Sequence, residues 1–168
     1  YIYMFNHVSM FDQFMIGAYI PHYITAVAAI EVFKYPIWGF IIKQYGVIPI
    51  IRQKIRRAIG SLNLAEEAIK NGTSFLISPE GTRTLTGEIG PFKKGPFHLA
   101  KNTNATIVPL ALKGGFRAKK KNDWRIQPGI LKIVFGEPIK SFQYKNLNIK
   151  DLQRLVLKRI LELKKESV

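Results

Sequence analysis

The sequence predicts an α/β fold in which helices flank a mostly parallel central sheet. Three observations carry that expectation. Short apolar runs alternate with amphipathic stretches along the chain, the pattern of repeated strand–helix units. Several of those runs are apolar at every position rather than every second one, as strands covered on both faces of a parallel sheet are. The chain has 168 residues, 47% of them hydrophobic, which suits one domain with a proper core and is too little for two.

The elements follow in chain order. Tyr1–Phe5 reads as a strand, and numbering that opens inside an apolar strand leads us to expect a single domain over 1–168, truncated at its N-terminus. Ser9–Tyr19 reads as the first helix. Ile24–Ala28 is a second strand. Pro36 suits the first position of a helix continuing through Ile37–Gln44, where its missing N–H costs nothing. Val47–Ile51 is a third strand. Ile55, Ile59, Leu62, Ala65 and Ile69 recur at helical spacing, and Asn71-Gly72 supplies the stop. Phe75–Ser78, Thr106–Leu112 and Leu131–Phe135 complete the strands, with a short helix expected at Phe97–Asn102. Lys113–Asp123 reads as the most loop-like stretch. Leu152, Leu155, Val156, Ile160 and Leu163 form the stripe of a last helix, and Asn148 and Asp151 stand at capping-box spacing before it.

The formal net charge is +15, from 26 Lys+Arg against 11 Asp+Glu. Such a surplus implies an anionic partner: nucleic acid, an anionic membrane surface or a phosphate-rich substrate. The chain holds no cysteine, which excludes disulfides, thiolate nucleophiles and thiolate metal sites. No apolar run approaches the roughly 18 residues of a membrane span.

Four constellations carry chemistry. Asn6-His7-Val8-Ser9-Met10-Phe11-Asp12 falls where a strand ends and a helix begins. An imidazole there can act as a general base, and Asp12, one helical turn inside, can fix its tautomer and stabilise the imidazolium. The same residues also read more plainly as a capping box of Ser9 and Asp12, with His7 outside it; the two readings are compatible. Ser78-Pro79-Glu80-Gly81-Thr82-Arg83 follows a strand. Gly81 permits close approach of a ligand to the backbone, Arg83 offers a fork suited to phosphate and Thr82 a hydroxyl. Glu80 is an unexpected acid in a basic protein, suited to a substrate hydroxyl or to holding an arginine. Gly46 to Arg52 ends a strand on an arginine aimed at the ligand face, and Ile107-Val108-Pro109-Leu110 is mostly core.

Together, in order and spacing, these blocks resemble the glycerolipid acyltransferase family, the group containing bacterial 1-acylglycerol-3-phosphate acyltransferases. Asn6-His7-x-Ser9-x-x-Asp12 matches its histidine–aspartate motif, Gly46–Arg52 its second block, Pro79-Glu80-Gly81-Thr82-Arg83 its third and Val108-Pro109 its fourth. The resemblance runs to about Leu112. Ser78 stands where the family usually has an aromatic residue, and Ile51 where it often has an acid.

The resemblance implies that His7 is the base and Asp12 its partner. It also implies that Arg52, Glu80, Gly81, Thr82 and Arg83 bind the acceptor. The reaction implied is transfer of a fatty acyl group from acyl-coenzyme A or acyl carrier protein to the hydroxyl of lysophosphatidic acid, or of another acceptor such as glycerol-3-phosphate. The resemblance implies no metal and no cofactor beyond the donor substrate. It implies a membrane-associated protein at the cytoplasmic face of an anionic membrane and no nucleic-acid partner. A nucleic-acid-binding module would leave His7, Asp12 and Glu80 without a use. A hydrolase built on Ser9 would lack the glycine-flanked elbow that exposes such a serine.

Overall fold

The computed structural model of the chain describes residues 1–51 and 55–165. The elements run β1 (Ile2–Phe5), α1 (Asp12–Tyr19), β2 (Ile24–Ala29), a 3₁₀ turn (Ile30–Lys34), α2 (Pro36–Gln44), β3 (Ile48–Ile50), α3 (Ile55–Lys70), β4 (Ser74–Ile77), α4 (Gly95–Thr103), β5 (Ile107–Lys113), α5 (Gly115–Ala118), β6 (Lys132–Phe135), α6 (Ser141–Tyr144) and α7 (Ile149–Lys165). All six expected strands are present, each within two residues of its expected bounds.

The strands form one sheet in the order β3-β2-β4-β1-β5-β6. Every neighbouring pair is parallel except β5–β6. β1 is central: Tyr3 lies opposite Leu76 of β4 on one side and Val108 of β5 on the other. Its residues are buried without a break, yet they serve two cores by turns. Ile2 and Met4 join Phe75, Ile77 and Ile107 on one face, covered by Ala65 and Ile69 of α3, Phe97 and Ala100 of α4, and Leu152, Val156 and Ile160 of α7. Tyr3 and Phe5 join Leu76, Val108 and Leu110 on the other, covered mainly by α1 through Ile16. The strand's twofold alternation is therefore real but invisible in its composition, because both faces need apolar side chains.

Helix ends follow local chemistry. Pro36 sits in the first turn of α2. α3 ends where Gly72 takes a positive φ of 91° and the N–H of Thr73 donates to Ala68 O at 3.0 Å, closing off a carbonyl of the last turn. Before α7, Asn148 Oδ1 accepts the N–H of Asp151 at 3.0 Å, while Asn148 Nδ2 donates to the Asp151 carboxylate at 2.6 Å. The expected capping pair is there, with its return bond made through side chains. Burying Leu152, Val156 and Ile160 of α7 stabilises the fold by roughly 1.5–3 kcal/mol each.

Three expectations need correction. α1 begins at Asp12, not Ser9; the residue before it, Phe11, is helical in backbone and no side chain caps it. α4 starts at Gly95 rather than Phe97, because Pro96 is tolerated in a first turn. The stretch Lys113–Asp123 is not all loop: β5 extends through Lys113, and Gly114, at φ 81°, turns the chain straight into α5.

Tyr144 pins the last third of the chain to the core. It is fully buried, and its hydroxyl is shared between Ala100 O at 3.0 Å and Ala105 O at 2.5 Å. Burial pushes its phenol up to about 12, so it remains a neutral donor at any working pH. Tyr144→Phe should lower the free energy of unfolding by about 1–3 kcal/mol, the cost of taking this donor from the Ala105 carbonyl, as read by denaturant titration.

Candidate active site

Because β4, β1 and β5 are adjacent and parallel, the segments that follow them leave the same edge of the sheet. His7 follows β1, Glu80–Arg83 follow β4, and α5 with the lysines after it follows β5. This is the carboxyl edge, where open α/β sheets bind their ligands.

The His7 ring is anchored through Nδ1, 2.7 Å from Asp12 Oδ2. A carboxylate only accepts hydrogen bonds, so Nδ1 carries the proton and Nε2 presents its lone pair. Nε2 makes no hydrogen bond among the described residues. The ring is partly open, with its side chain 23% exposed, and rests edge-on to Phe5 at 5.4 Å between centroids. Asp12 is 0% exposed. Its Oδ2 also accepts the N–H groups of Val8 at 2.7 Å and Ser9 at 3.0 Å. Three donors on one oxygen, together with the N-terminus of α1, offset the cost of burying the charge. Asp12 Oδ1 is buried without a hydrogen bond among the described residues.

Asp12 is thus the first residue of α1, not a residue one turn inside it. Ser9 is not the helix cap. Its hydroxyl is fully buried, accepts the N–H of Phe11 at 3.4 Å and donates to Lys119 O at 3.3 Å. Ser9 therefore ties the His7 loop to the segment after α5.

Glu80 is placed against His7 from the other side. It is 5% exposed. Its Oε1 accepts the His7 backbone N–H at 2.8 Å and its Oε2 that of Gly90 at 2.8 Å. Among the described residues it pairs with no arginine; both oxygens brace backbone. Burial pushes its carboxyl above the usual carboxylate range, and the two backbone N–H bonds pull it partly back. The His7 carbonyl is held as well, by the N–H of Thr84 at 2.9 Å.

Gly81 has φ 71°, a left-handed turn that suits glycine. Its N–H donates to Ser78 O at 3.1 Å. Thr82 is exposed, and its hydroxyl receives Lys121 Nζ at 2.9 Å. Arg83 is half-buried and makes no hydrogen bond or ion pair among the described residues. Arg52 lies outside the described residues. The structure therefore brings His7, Asp12, Glu80, Gly81, Thr82 and Arg83 to one edge.

Sequence reasoning did not foresee three contacts at the site. Lys121 reaches Thr82 across 39 positions, which no local pattern announces. Asn6, buried, exchanges two hydrogen bonds with the Leu112 backbone at 3.0 and 2.8 Å, lashing β1 to β5 just below His7. Gly115 lets α5 lie against the His7 loop: a Cβ there would stand 3.0 Å from Val8 Cγ2 and 3.1 Å from Ser9 Cβ. The signal for the last was the Gly114-Gly115 pair, which lies in the stretch read as loop.

The arrangement is a buried acid holding an imidazole whose free nitrogen faces a cationic edge. It can take a proton from a hydroxyl and return it to a leaving group beside bound phosphate. Among the described residues no cluster of three or more His, Cys, Asp or Glu could hold a metal ion.

The sequence profile of the acyltransferase family matches residues 1–113. A 1-acyl-sn-glycerol-3-phosphate acyltransferase of Cocos nucifera is 37% identical over 141 residues, 83% of this chain and 46% of that protein. One of Saccharomyces cerevisiae is 37% identical over 115 residues, 67% of this chain and 38% of that protein. The crystal structure of a 1-acyl-sn-glycerophosphate acyltransferase from Thermotoga maritima superposes with a TM-score of 0.85 at 26% identity, covering 100% of this chain and 68% of that one. The chain spans about half the length of the curated relatives it matches.

Two stability measurements follow from the site's packing. Gly115→Ala should cost about 1–3 kcal/mol by crowding the His7 loop, whereas Gly60→Ala, in a helix with open space around it, should gain about 0.5–1 kcal/mol; equal effects at both sites would contradict the contact. Glu80 binds its proton more tightly folded than unfolded, so its contribution to stability falls as pH rises from the ordinary glutamate range through its own raised one. The stability difference between wild type and Glu80→Gln should therefore shift against wild type over that interval, as followed by unfolding at stepped pH.

Proposed function

The chain belongs to the acyltransferase family, and from that premise we propose that it moves a fatty acyl group from acyl-coenzyme A or acyl carrier protein to the hydroxyl of lysophosphatidic acid. The observation that carries the proposal is the 2.7 Å bond between His7 Nδ1 and Asp12 Oδ2, which leaves Nε2 as a base at the edge where Arg83 and Lys121 gather. Relatives named as 1-acyl-sn-glycerol-3-phosphate acyltransferases support the choice of acceptor.

The reaction is direct. His7 Nε2 removes the proton of the acceptor hydroxyl as its oxygen attacks the thioester carbonyl. Asp12 stabilises the imidazolium. The tetrahedral oxyanion needs donors already in place. Gly81 N–H is engaged with Ser78 O, so the amides of Thr82 and Arg83, which have no partner among the described residues, take that role. Collapse breaks the carbon–sulfur bond, and the proton passes from His7 to the departing thiolate. Ser9 takes no covalent part, because its hydroxyl is buried between Phe11 N–H and Lys119 O.

Arg83, Thr82 and Lys121 bind the acceptor's phosphate, and Arg52 is assigned to it by resemblance. Glu80 acts from behind, setting the backbone from which His7 projects. The protein works at the cytoplasmic face of an anionic membrane; among the described residues no helix is long and apolar enough to cross one.

The decisive experiment is an acyl-transfer assay of purified protein against a panel of acceptors with both donors. His7→Ala should lower kcat by roughly 10²–10⁴-fold in a folded protein. Arg83→Ala should raise the apparent KM for lysophosphatidic acid more than that for the donor. Initial-rate lines should intersect, and no acyl mass should appear on the protein incubated with donor alone. Full turnover in His7→Ala would overturn the mechanism.

A further inference from the structure

Residues 119–126 leave the body of the protein and come back to it. The N–H of Gln127 donates to Ala118 O at 2.8 Å, closing the excursion where α5 ends. The loop is tied from within: the Asp123 carboxylate accepts the Arg125 backbone N–H and Nε at 3.0 Å each and Nη2 at 2.8 Å. Lys119 Nζ donates to Lys120 O at 3.1 Å and to Asp123 O. This ordered loop turns its apolar residues outward. Trp124 is 87% exposed and Ile126 65%, with Ile130 beside them at 76%.

The loop is rooted in the candidate active site. Lys119 O receives the Ser9 hydroxyl, and Lys121 Nζ reaches Thr82. Met10, Phe14 and Leu85, which follow β1 and β4 at the same edge, are exposed as well. Around this apolar rim the charge is nearly all of one sign. Residues 117–132 carry Arg117, Lys119, Lys120, Lys121, Arg125 and Lys132 against a single acid, Asp123, and that acid is paired with Arg125.

We propose that the 119–126 loop, with Ile130, is a wedge that enters an anionic bilayer and holds the His7 edge against it. Tryptophan suits the depth where lipid carbonyls meet water, having an apolar body and one N–H donor. The surrounding lysines match anionic headgroups. A second copy of this chain, equally basic, would meet the loop with like charge. The inference rests on the acyltransferase reading for its purpose: an acceptor with a fatty chain resides in the bilayer, and a site whose edge is held against that bilayer receives it without crossing water. The anchoring stands or falls by its own measurement.

The chain holds two tryptophans, Trp38 and Trp124. In the full chain carrying Trp38→Phe, emission therefore reports the loop alone. Vesicles of phosphatidylcholine with phosphatidylglycerol should shift that emission to the blue and allow quenching by brominated lipid chains. Vesicles of phosphatidylcholine alone should do so several-fold less. In an otherwise wild-type chain, Trp124→Ser with Ile126→Ser should reduce co-sedimentation with anionic vesicles at least tenfold. Transfer to acceptor embedded in those vesicles should fall with it, while transfer to a short-chain acceptor in monomeric solution stays unchanged. If no acceptor is acylated by wild type, the acyltransferase reading fails, and fluorescence and sedimentation still decide the wedge. Emission unmoved by anionic vesicles, a blue shift that depends on protein concentration without lipid, or undiminished sedimentation of the double variant would each overturn it.

Discussion

β4, β1 and β5 lie side by side and run the same way, so their carboxyl ends open on one edge of the sheet and their return connections pass behind it. Parallel strands can be joined only by crossovers, which here are α3 and α4 on one face and α1 at the start of the other. The faces are thereby spent on packing, and the edge is left for polar loops. His7 stands at the end of the central strand, where loops from both neighbours can reach it. Asn6 carries the pairing with β5 one step past the end of β1 by exchanging two hydrogen bonds with the Leu112 backbone.

The charges at this edge are arranged by a division of labour. Among the described residues the buried acids are Asp12 and Glu80, and their partners are backbone N–H groups and the His7 ring rather than lysine or arginine side chains. In a protein with a surplus of +15 cations were available in number. A salt bridge at Glu80 would have neutralised one of them beside His7. Holding the acids with amides instead leaves Arg83 and Lys121 unpaired with acids among the described residues and lets their field extend over the open site. The burial of Glu80 is the cost, visible in its upward displacement.

Much of this was legible in the sequence, for physical reasons that also say where legibility ended. The strands announced themselves because burial on both faces demanded apolar residues throughout. His7 and Asp12 could be paired because five positions separate them and local geometry joins them. The start of α1 was misread because Ser9 and Asp12 have the right spacing for a cap; Asp12 instead turns back to collect the amides of Val8 and Ser9, which makes the helix begin later. Glu80 was read as suited to a substrate hydroxyl or to holding an arginine, because an acid in a basic turn suggests a polar partner; its partners are backbone N–H groups, one of them 73 positions away. The Lys121–Thr82 contact is equally distant in sequence and has no periodicity to betray it. At the Gly114-Gly115 pair, a loop was readable, but the close approach that needs Gly115 depends on Val8 and Ser9 and was not.

The family profile ends at residue 113, yet the fold does not. α7 supplies Leu152, Val156 and Ile160 to the same cluster as Ile2, Met4 and Ile107, completing the cover that α3 and α4 begin. Tyr144 closes over the end of α4. The segment after α5 holds Ser9 through Lys119 and Thr82 through Lys121. The chemistry and its support thus divide unevenly along the chain. The matched part carries the candidate site residues His7, Asp12 and Glu80–Arg83, whose geometry leaves little freedom for substitution. The remainder has to fill a face and reach an edge, and many sequences can do both. That difference in constraint fits a family profile that stops at residue 113 while the structural likeness extends across 100% of the chain. It also marks the later segment as the place where this protein can differ from its relatives in how the site is presented without disturbing how it reacts.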